Sequence, residues 1–391
     1  MHDGHDIRTN PTFTMRTENE QEKVNAMALT RLGFISLAGM QELFNRAGSA
    51  TVVMENRHNI RDIIPDASDR LVAVLADVDD AVRRAEAEYI WANDNKVEII
   101  VRGDSRYPTR LLDCDDAPLV LYFSGAADLN ARRVVTIVGT RHATVYGQDI
   151  IRRFIADLRQ QCPSTLVVSG LAYGVDIAAH REALKNGLPT VAVLAHGMDQ
   201  LYPNCHRTTA KEMLAEGGLL TEYMSLTPGA KGNFVQRNRI VAGMADASIL
   251  VESAEKGGGL ITMRIARDYN RDCFAFPGPV NAEYSKGCNN LIRDNGAMLI
   301  TSAHDFVSAM GWVDDNELQK ARQEGIERQM FVDLTDDERR IVELLQQNND
   351  MQINVIAVRA DMPISKLTAL LFSLEMKGVL KAMAGGCYHL F

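Results

Sequence analysis

The chain has 391 residues, of which 46% are hydrophobic and 24% charged, with a formal net charge of −9. That is an ordinary globular composition of a length that suits two or three domains, and it argues against a surface coated in Lys and Arg for indiscriminate nucleic-acid binding. No apolar run approaches the ~18–20 residues that span a bilayer, so a cytoplasmic protein without a membrane anchor is expected.

Residues 1–20 read as a polar tail with no apolar segment of the secretory kind. Residues 21–90 read as a small helical module, its short helices broken by Gly33, Gly39 and Gly48, with Leu29, Leu32, Ile35, Leu37, Leu43 and Phe44 as its core. Its helix–turn–helix rhythm suits either a structural module or a weak backbone contact. From Val97, two strands around a turn-rich loop with Pro108 and Pro118 lead into the main domain, which runs over 97–311.

That domain alternates strictly. Strands are expected at VVTIVGT, TLVVSG, TVAVLA, GLLTE, ASILVES, DCFAFPG and AMLIT, with amphipathic helices between them. Continuous apolar strands separated by helices predict an α/β fold, a Rossmann-like doubly wound parallel sheet covered on both faces. Ligands of such sheets sit at the carboxyl ends of the strands. Residues 312–332 are charged and read as a linker. Residues 333–391 read as a winged helix: Thr335 and Glu338 form a capping box, Pro363 and Ser365 open the second helix of the pair, and Gly385–Gly386 turn the wing. From Asp333 onward there are eight acidic and six basic side chains, a net of −2, so this unit suits protein contact better than DNA.

Several motifs could carry chemistry. IVGTRHATVYG ends a strand at Gly139 and adds Thr140 and Arg141, whose guanidinium can fork onto a phosphate. VVSGLAYGVDIAAH places Ser169 and Gly170 at the next strand end. Its Asp176 and His180 share a helix face. They suit a metal pair, an acid–base pair, or simply a helix-start carboxylate and a packed histidine. AKGNFVQRNRIVAG sets Lys231, Arg237 and Arg239 around Phe234 in a pliable loop. Cations beside a ring suit single-stranded nucleic acid, because charges track phosphates and the ring stacks on a base. The alternative is an amphipathic helix with solvated arginines. Gly257, Gly258 and Gly259, followed by Thr262, form an anion nest or a flexible turn. FAFPGPV, SKGCNNLI and the region around Cys288 and Asn289 read as structural.

All of these motifs fall at the same ends of successive strands, so a parallel sheet gathers them into one extended anion-binding crevice. The dinucleotide fingerprint, the Walker loop and the G-x-S-x-G elbow are absent. The six cysteines are scattered, with no C-x-x-C pair, so neither a metal nor a cofactor is expected.

In order and spacing, VTIVGTR, VVSGLAYGVDIAAH, AVLAHGMDQLYP, FVQRNRIVAG, GGGLITMRIA and FAFPGPV…KGCNNLI resemble the consecutive motifs of the DprA/Smf family. The likeness covers roughly 97–301. The flanking modules fit that family's layout of a SAM-like helical module, a Rossmann-like domain and a winged helix. The resemblance implies a non-catalytic protein that binds and protects single-stranded DNA during DNA uptake and recombination. It also implies loading of the RecA recombinase and dimerisation through the Rossmann-like domain. Arg141, Lys231 and Phe234 are then the DNA contacts, with Arg237, Asn238 and Arg239 as the R-N-R segment. Thr140 stands where Ser is usual, and Val235 where Pro usually follows the Phe. KGGGLIT replaces a turn that usually reads S-G-S, and NCHRTT lacks the usual second Asn. A nucleotide-ribohydrolase-like enzyme on a related fold is the alternative, but it needs a carboxylate soon after the glycine turn. Here Leu260, Ile261, Thr262, Met263 and Arg264 follow, with none before Asp268.

Overall fold

Each expected apolar run forms a strand. The computed structural model describes residues 16–33, 35–312, 334–347, 349, 351–377, 379–383 and 386–390. It divides into two compact units, Met1–Trp312 and Val313–Phe391. Residues 1–15 of the expected tail and 313–332 of the expected linker lie outside the described residues.

The first unit is built on a nine-stranded sheet in the order β1-β2-β6-β5-β4-β3-β7-β8-β9. Its parallel part comprises β3 (Val134–Val138), β4 (Leu166–Ser169), β5 (Thr190–Val193), β6 (Gly218–Thr221), β7 (Ala247–Leu250), β8 (Asp272–Ala275) and β9 (Met298–Leu299). The lead-in strands β1 (Glu98–Val101) and β2 (Val120–Gly125) extend it as an antiparallel edge beside β6. All five residues of β3 are buried. Side chains alternate across a strand. Val135 and Ile137 therefore join one core with Ile151, Phe154 and Phe306. Val134 and Val138 join the other core with Ile240 and Met263. Helices α6 (Val145–Gln161), α7 (Val175–Lys185) and α12 (Ala303–Ala309) cover the first face, and α9 (Lys231–Gly243) and α10 (Gly258–Asp268) cover the second.

The chain runs outward from β3 to β6 on one side, then returns to place β7 against the other side of β3. The strand order therefore reverses between β3 and β7, and loops leaving their carboxyl ends diverge to opposite faces. That divergence opens a crevice.

Among the described residues, five α-helices precede the sheet: α1 (Glu18–Thr30), α2 (Leu37–Ala47), α3 (Ala50–Glu55), α4 (Asp69–Ala76) and α5 (Asp79–Asp94). Their core residues Met27, Leu29, Leu43 and Leu75 pack with Ile99, Val101, Val120 and Tyr122 of the edge strands. The module therefore shares its core with the sheet. Gly39 does not break a helix as expected. It lies in the first turn of α2, where its N–H bonds the Ser36 cap at 3.0 Å. Gly48 does end α2, in the left-handed conformation.

In the second unit, α13 (Asp336–Gln347), α14 (Ile353–Ala360) and α15 (Ile364–Met376) surround Ile341, Leu345, Ile356, Leu367 and Leu371. The strands β10 (Met351–Gln352), β11 (Leu380–Met383) and β12 (Cys387–Leu390) form the wing sheet in the order β10-β12-β11. The capping box is present: Thr335 N–H donates to Glu338 at 2.8 Å, and Glu338 N–H donates to the Thr335 hydroxyl at 3.3 Å. Gly385 of the expected wing turn lies outside the described residues.

Candidate functional site

Of the fourteen residues expected at the crevice, eleven line a single cleft of about 390 Å³: Gly139, Thr140, Arg141, Gly170, Phe234, Arg237, Asn238, Gly257, Gly258, Gly259 and Thr262. The cleft lies at the β3/β7 reversal. Backbone approaches backbone closely there. A Cβ added at Gly139 would lie 2.7 Å from the Glu252 carbonyl oxygen, and one added at Gly259 would lie 3.1 Å from the Gly139 Cα.

The loop after β3 is fixed from below. The Glu252 carboxylate is buried and accepts from Thr144 N–H at 2.8 Å and the Thr144 hydroxyl at 2.6 Å. Thr140 N–H donates to the Glu252 carbonyl at 2.8 Å. Gly174 holds φ at +76°, and a Cβ there would strike the Thr140 carbonyl at 2.2 Å. The loop backbone is thus pinned, while Arg141 projects into solvent. Its guanidinium lies over the Phe234 ring, 5.9 Å from the centroid. Tyr202 meets the same ring edge-on at 5.6 Å. Phe234 is half-buried and lines the cleft.

The pliable loop expected around Lys231 and Phe234 is instead the first turn of α9, capped by Ala230 without a side-chain hydrogen bond. Pro228, Gly229 and Gly232 weight the local signal toward a loop, and packing of α9 across α10 overrides it. Lys231 and Phe234 are three apart and share a helix face. Lys231 is exposed but does not line the cleft itself. No acidic residue occupies that first turn, so cation and helix dipole both favour an anion there.

Arg237 and Arg239 do not act as free cations around Phe234. Two residues on a helix turn through about 200°, so their side chains leave α9 on opposite sides. Arg237 is 4% exposed and donates to the carbonyls of Gly170, at 2.7 Å, and Val193. Arg239 is 5% exposed and donates to Glu222 at 2.5 Å, away from the cleft. Burial raises the Glu222 carboxyl despite that cation. Ser169 is fully buried and donates to the Ile137 carbonyl at 2.7 Å. All three are structural in this geometry. Asn238, between the two arginines, remains half-buried at the cleft wall.

Asp176 and His180 do not come together as a pair. Asp176 lines the floor of the cleft and accepts from Ala172 N–H at 3.3 Å. Burial raises its carboxyl, and the nearby Arg237 opposes that. His180 is fully buried, 2.7 Å from the Thr190 hydroxyl, and burial pushes its imidazole down to about 3. The packed-histidine reading fits this geometry. Among the described residues no group of three metal-type ligands occurs, and no helix is long and apolar enough to cross a membrane.

Among the polar and aromatic residues of the lining, sequence reasoning missed three. Lys256 is exposed directly before the glycine turn, a signal that was legible. His142 follows Arg141. Tyr284 arrives from a distant segment with no local signal at all.

Comparison with known proteins agrees with this architecture. The family model described as DNA recombination-mediator protein A matches residues 98–311, and one described as DprA winged helix domain matches 332–386. A DNA processing protein DprA of Mycobacterium tuberculosis is 36% identical over 278 residues, covering 71% of this chain and 70% of that one. Protein Smf of Escherichia coli is 30% identical over 315 residues, covering 78% and 80%. The X-ray structure of DNA processing protein A from Streptococcus pneumoniae superposes with a TM-score of 0.62 at 29% identity, covering 73% of this chain and 97% of that one. A structure of DNA processing protein A from Helicobacter pylori, described for its single-stranded DNA binding mode, gives 0.50 at 27% identity, covering 55% and 95%.

Proposed function

Since the chain belongs to the DprA/Smf family of DNA processing proteins, we propose that the crevice between β3 and β7 holds single-stranded DNA without catalysing a reaction on it. One observation carries this reading: the exposed Arg141 guanidinium lies 5.9 Å from the centroid of the Phe234 ring at a cleft lined by glycine backbone. A phosphate can meet the guanidinium and the backbone N–H groups while its base meets the ring. Lys256 lines the cleft and Lys231 stands exposed one turn before Phe234, so both add positive charge near it. The single-stranded DNA binding mode of the Helicobacter pylori protein supports the same ligand here.

The cleft offers no activated nucleophile. Its one floor carboxylate, Asp176, is engaged by a backbone N–H, and His180 is sequestered with Thr190. A binding role therefore fits better than hydrolysis. In the wider reading, the protein protects incoming single strands in the cytoplasm during DNA uptake and hands them to a RecA recombinase. It acts as a homodimer joined through the Rossmann-like domain.

Gel-shift titrations of single-stranded and duplex DNA across a salt series test the ligand. Tighter single-strand binding with a linear log–log salt dependence is expected. Equal affinity for duplex would overturn the crevice as a single-strand track. A nucleotide-hydrolysis assay should show no turnover, and release of a free base would favour the ribohydrolase alternative.

A further inference from the structure

The cleft carries more aromatic surface than one ring. His142 and Tyr284 both line it, with ring centroids 6.2 Å apart and an interplanar angle of 32°. At that separation neither ring covers the other's face as a closely stacked pair would. His142 is exposed and Tyr284 half-buried, so both residues keep accessible surface where they line the cleft.

The chain links this pair to the first ring. Arg141 and His142 are neighbours: the guanidinium of one lies over Phe234, and the ring of the other meets Tyr284. Lys256 lines the same cleft beside the glycine turn and supplies another cation. A ring, a guanidinium, a further pair of rings and an ammonium thus line one cleft. A single strand presents bases and phosphates in the same alternation.

We propose that His142 and Tyr284 form a second stacking platform, so that the cleft seats two bases of one strand, one on Phe234 and one on Tyr284. This rests on the single-strand reading of the crevice and deepens it. Tyr284 comes from the turn before α11 (Lys286–Arg293), and Ser253 N–H donates to its carbonyl at 2.6 Å. The platform is therefore tied by main chain to the end of β7, and its position does not depend on the ring it carries.

The test uses the full-length protein and oligothymidylates carrying 5-iodouracil at one position. Ultraviolet cross-linking followed by peptide mapping should label both the Phe234 and the Tyr284 peptides. Affinity should fall roughly 5-fold or more for Tyr284→Ala, as for loss of one stacked base. Tyr284→Phe should keep wild-type affinity, because the ring face is retained. His142→Ala, a change at an exposed position, should weaken binding without altering the melting temperature. Cross-links confined to Phe234, with wild-type affinity in Tyr284→Ala, would overturn the second platform and leave the crevice reading intact. Equal loss in Tyr284→Phe and Tyr284→Ala would assign the effect to the hydroxyl and also overturn it. Failure of the wild-type protein to bind single strands would instead overturn the parent reading.

Discussion

Replacing Arg237 with Ala should unfold the site rather than merely discharge it. The guanidinium is 4% exposed and is committed to the carbonyls of Gly170 and Val193, at the ends of β4 and β5. Truncation leaves two buried acceptors unpaired, at about 1–3 kcal/mol each, so a loss of roughly 2–6 kcal/mol is expected. For a unit of this size that is a drop in melting temperature of order 10 °C. Arg237→Lys should recover only part of it, because one ammonium does not reproduce a planar fork spanning two carbonyls. The pH dependence gives a second readout. Burial already raises the Asp176 carboxyl, and Arg237 is the charge that opposes this. Without Arg237 the carboxyl rises further. A raised carboxyl stabilises the fold while protonated and loses that contribution as pH climbs through its folded value. The deficit of Arg237→Ala should therefore be larger at pH 8 than at pH 5. Thermal melts at the two pH values measure it. Wild-type melting at both, combined with lost DNA affinity, would show that Arg237 serves the ligand directly and would refute the structural role.

Other outcomes follow from the same geometry. Gly174→Ala forces a Cβ into the Thr140 carbonyl at a positive φ, so it should cost about 1–3 kcal/mol and weaken DNA binding by displacing the Arg141 loop; calorimetry and a gel shift read the two effects. His180 is held down to about 3 by burial, so the first unit should lose stability as pH falls from 6.5 toward 3, and His180→Gln should flatten that dependence in urea titrations. In the winged helix, burial opposes ionisation of Glu338, but Lys377, Ser373 and Thr335 outweigh it and hold the carboxyl at about 2. Its contribution is present above pH 4.5 and lost as pH falls toward 2, so Glu338→Gln should destabilise that unit at pH 7 and match wild type near pH 2.

The sheet is legible in the sequence because its strands are buried on both faces and read as unbroken apolar runs. The crevice is legible because glycines must stand where backbones cross, as Gly139 and Gly259 do. Side-chain direction is not. The R-N-R segment spells three polar residues in a row, yet helical rotation sends Arg237 beneath the cleft and Arg239 to Glu222. The turn at Lys231 reads as a loop because Pro228, Gly229 and Gly232 dominate locally, whereas helix packing decides. Gly39 reads as a breaker for the same reason, although a serine cap three residues earlier makes a glycine harmless in a first turn. Tyr284 cannot be found in the sequence at all, because only the folded sheet brings its segment to the wall.

The most direct test of the crevice is the salt dependence of single-strand binding in Arg141→Ala and Phe234→Ala. Arg141→Ala should bind more weakly with a salt slope shallower by about one ion. Phe234→Ala should lose ~1–3 kcal/mol of affinity while keeping the wild-type slope, since it removes stacking and no charge. Wild-type affinity and slope in both variants would contradict the assignment of the β3/β7 crevice as the DNA track.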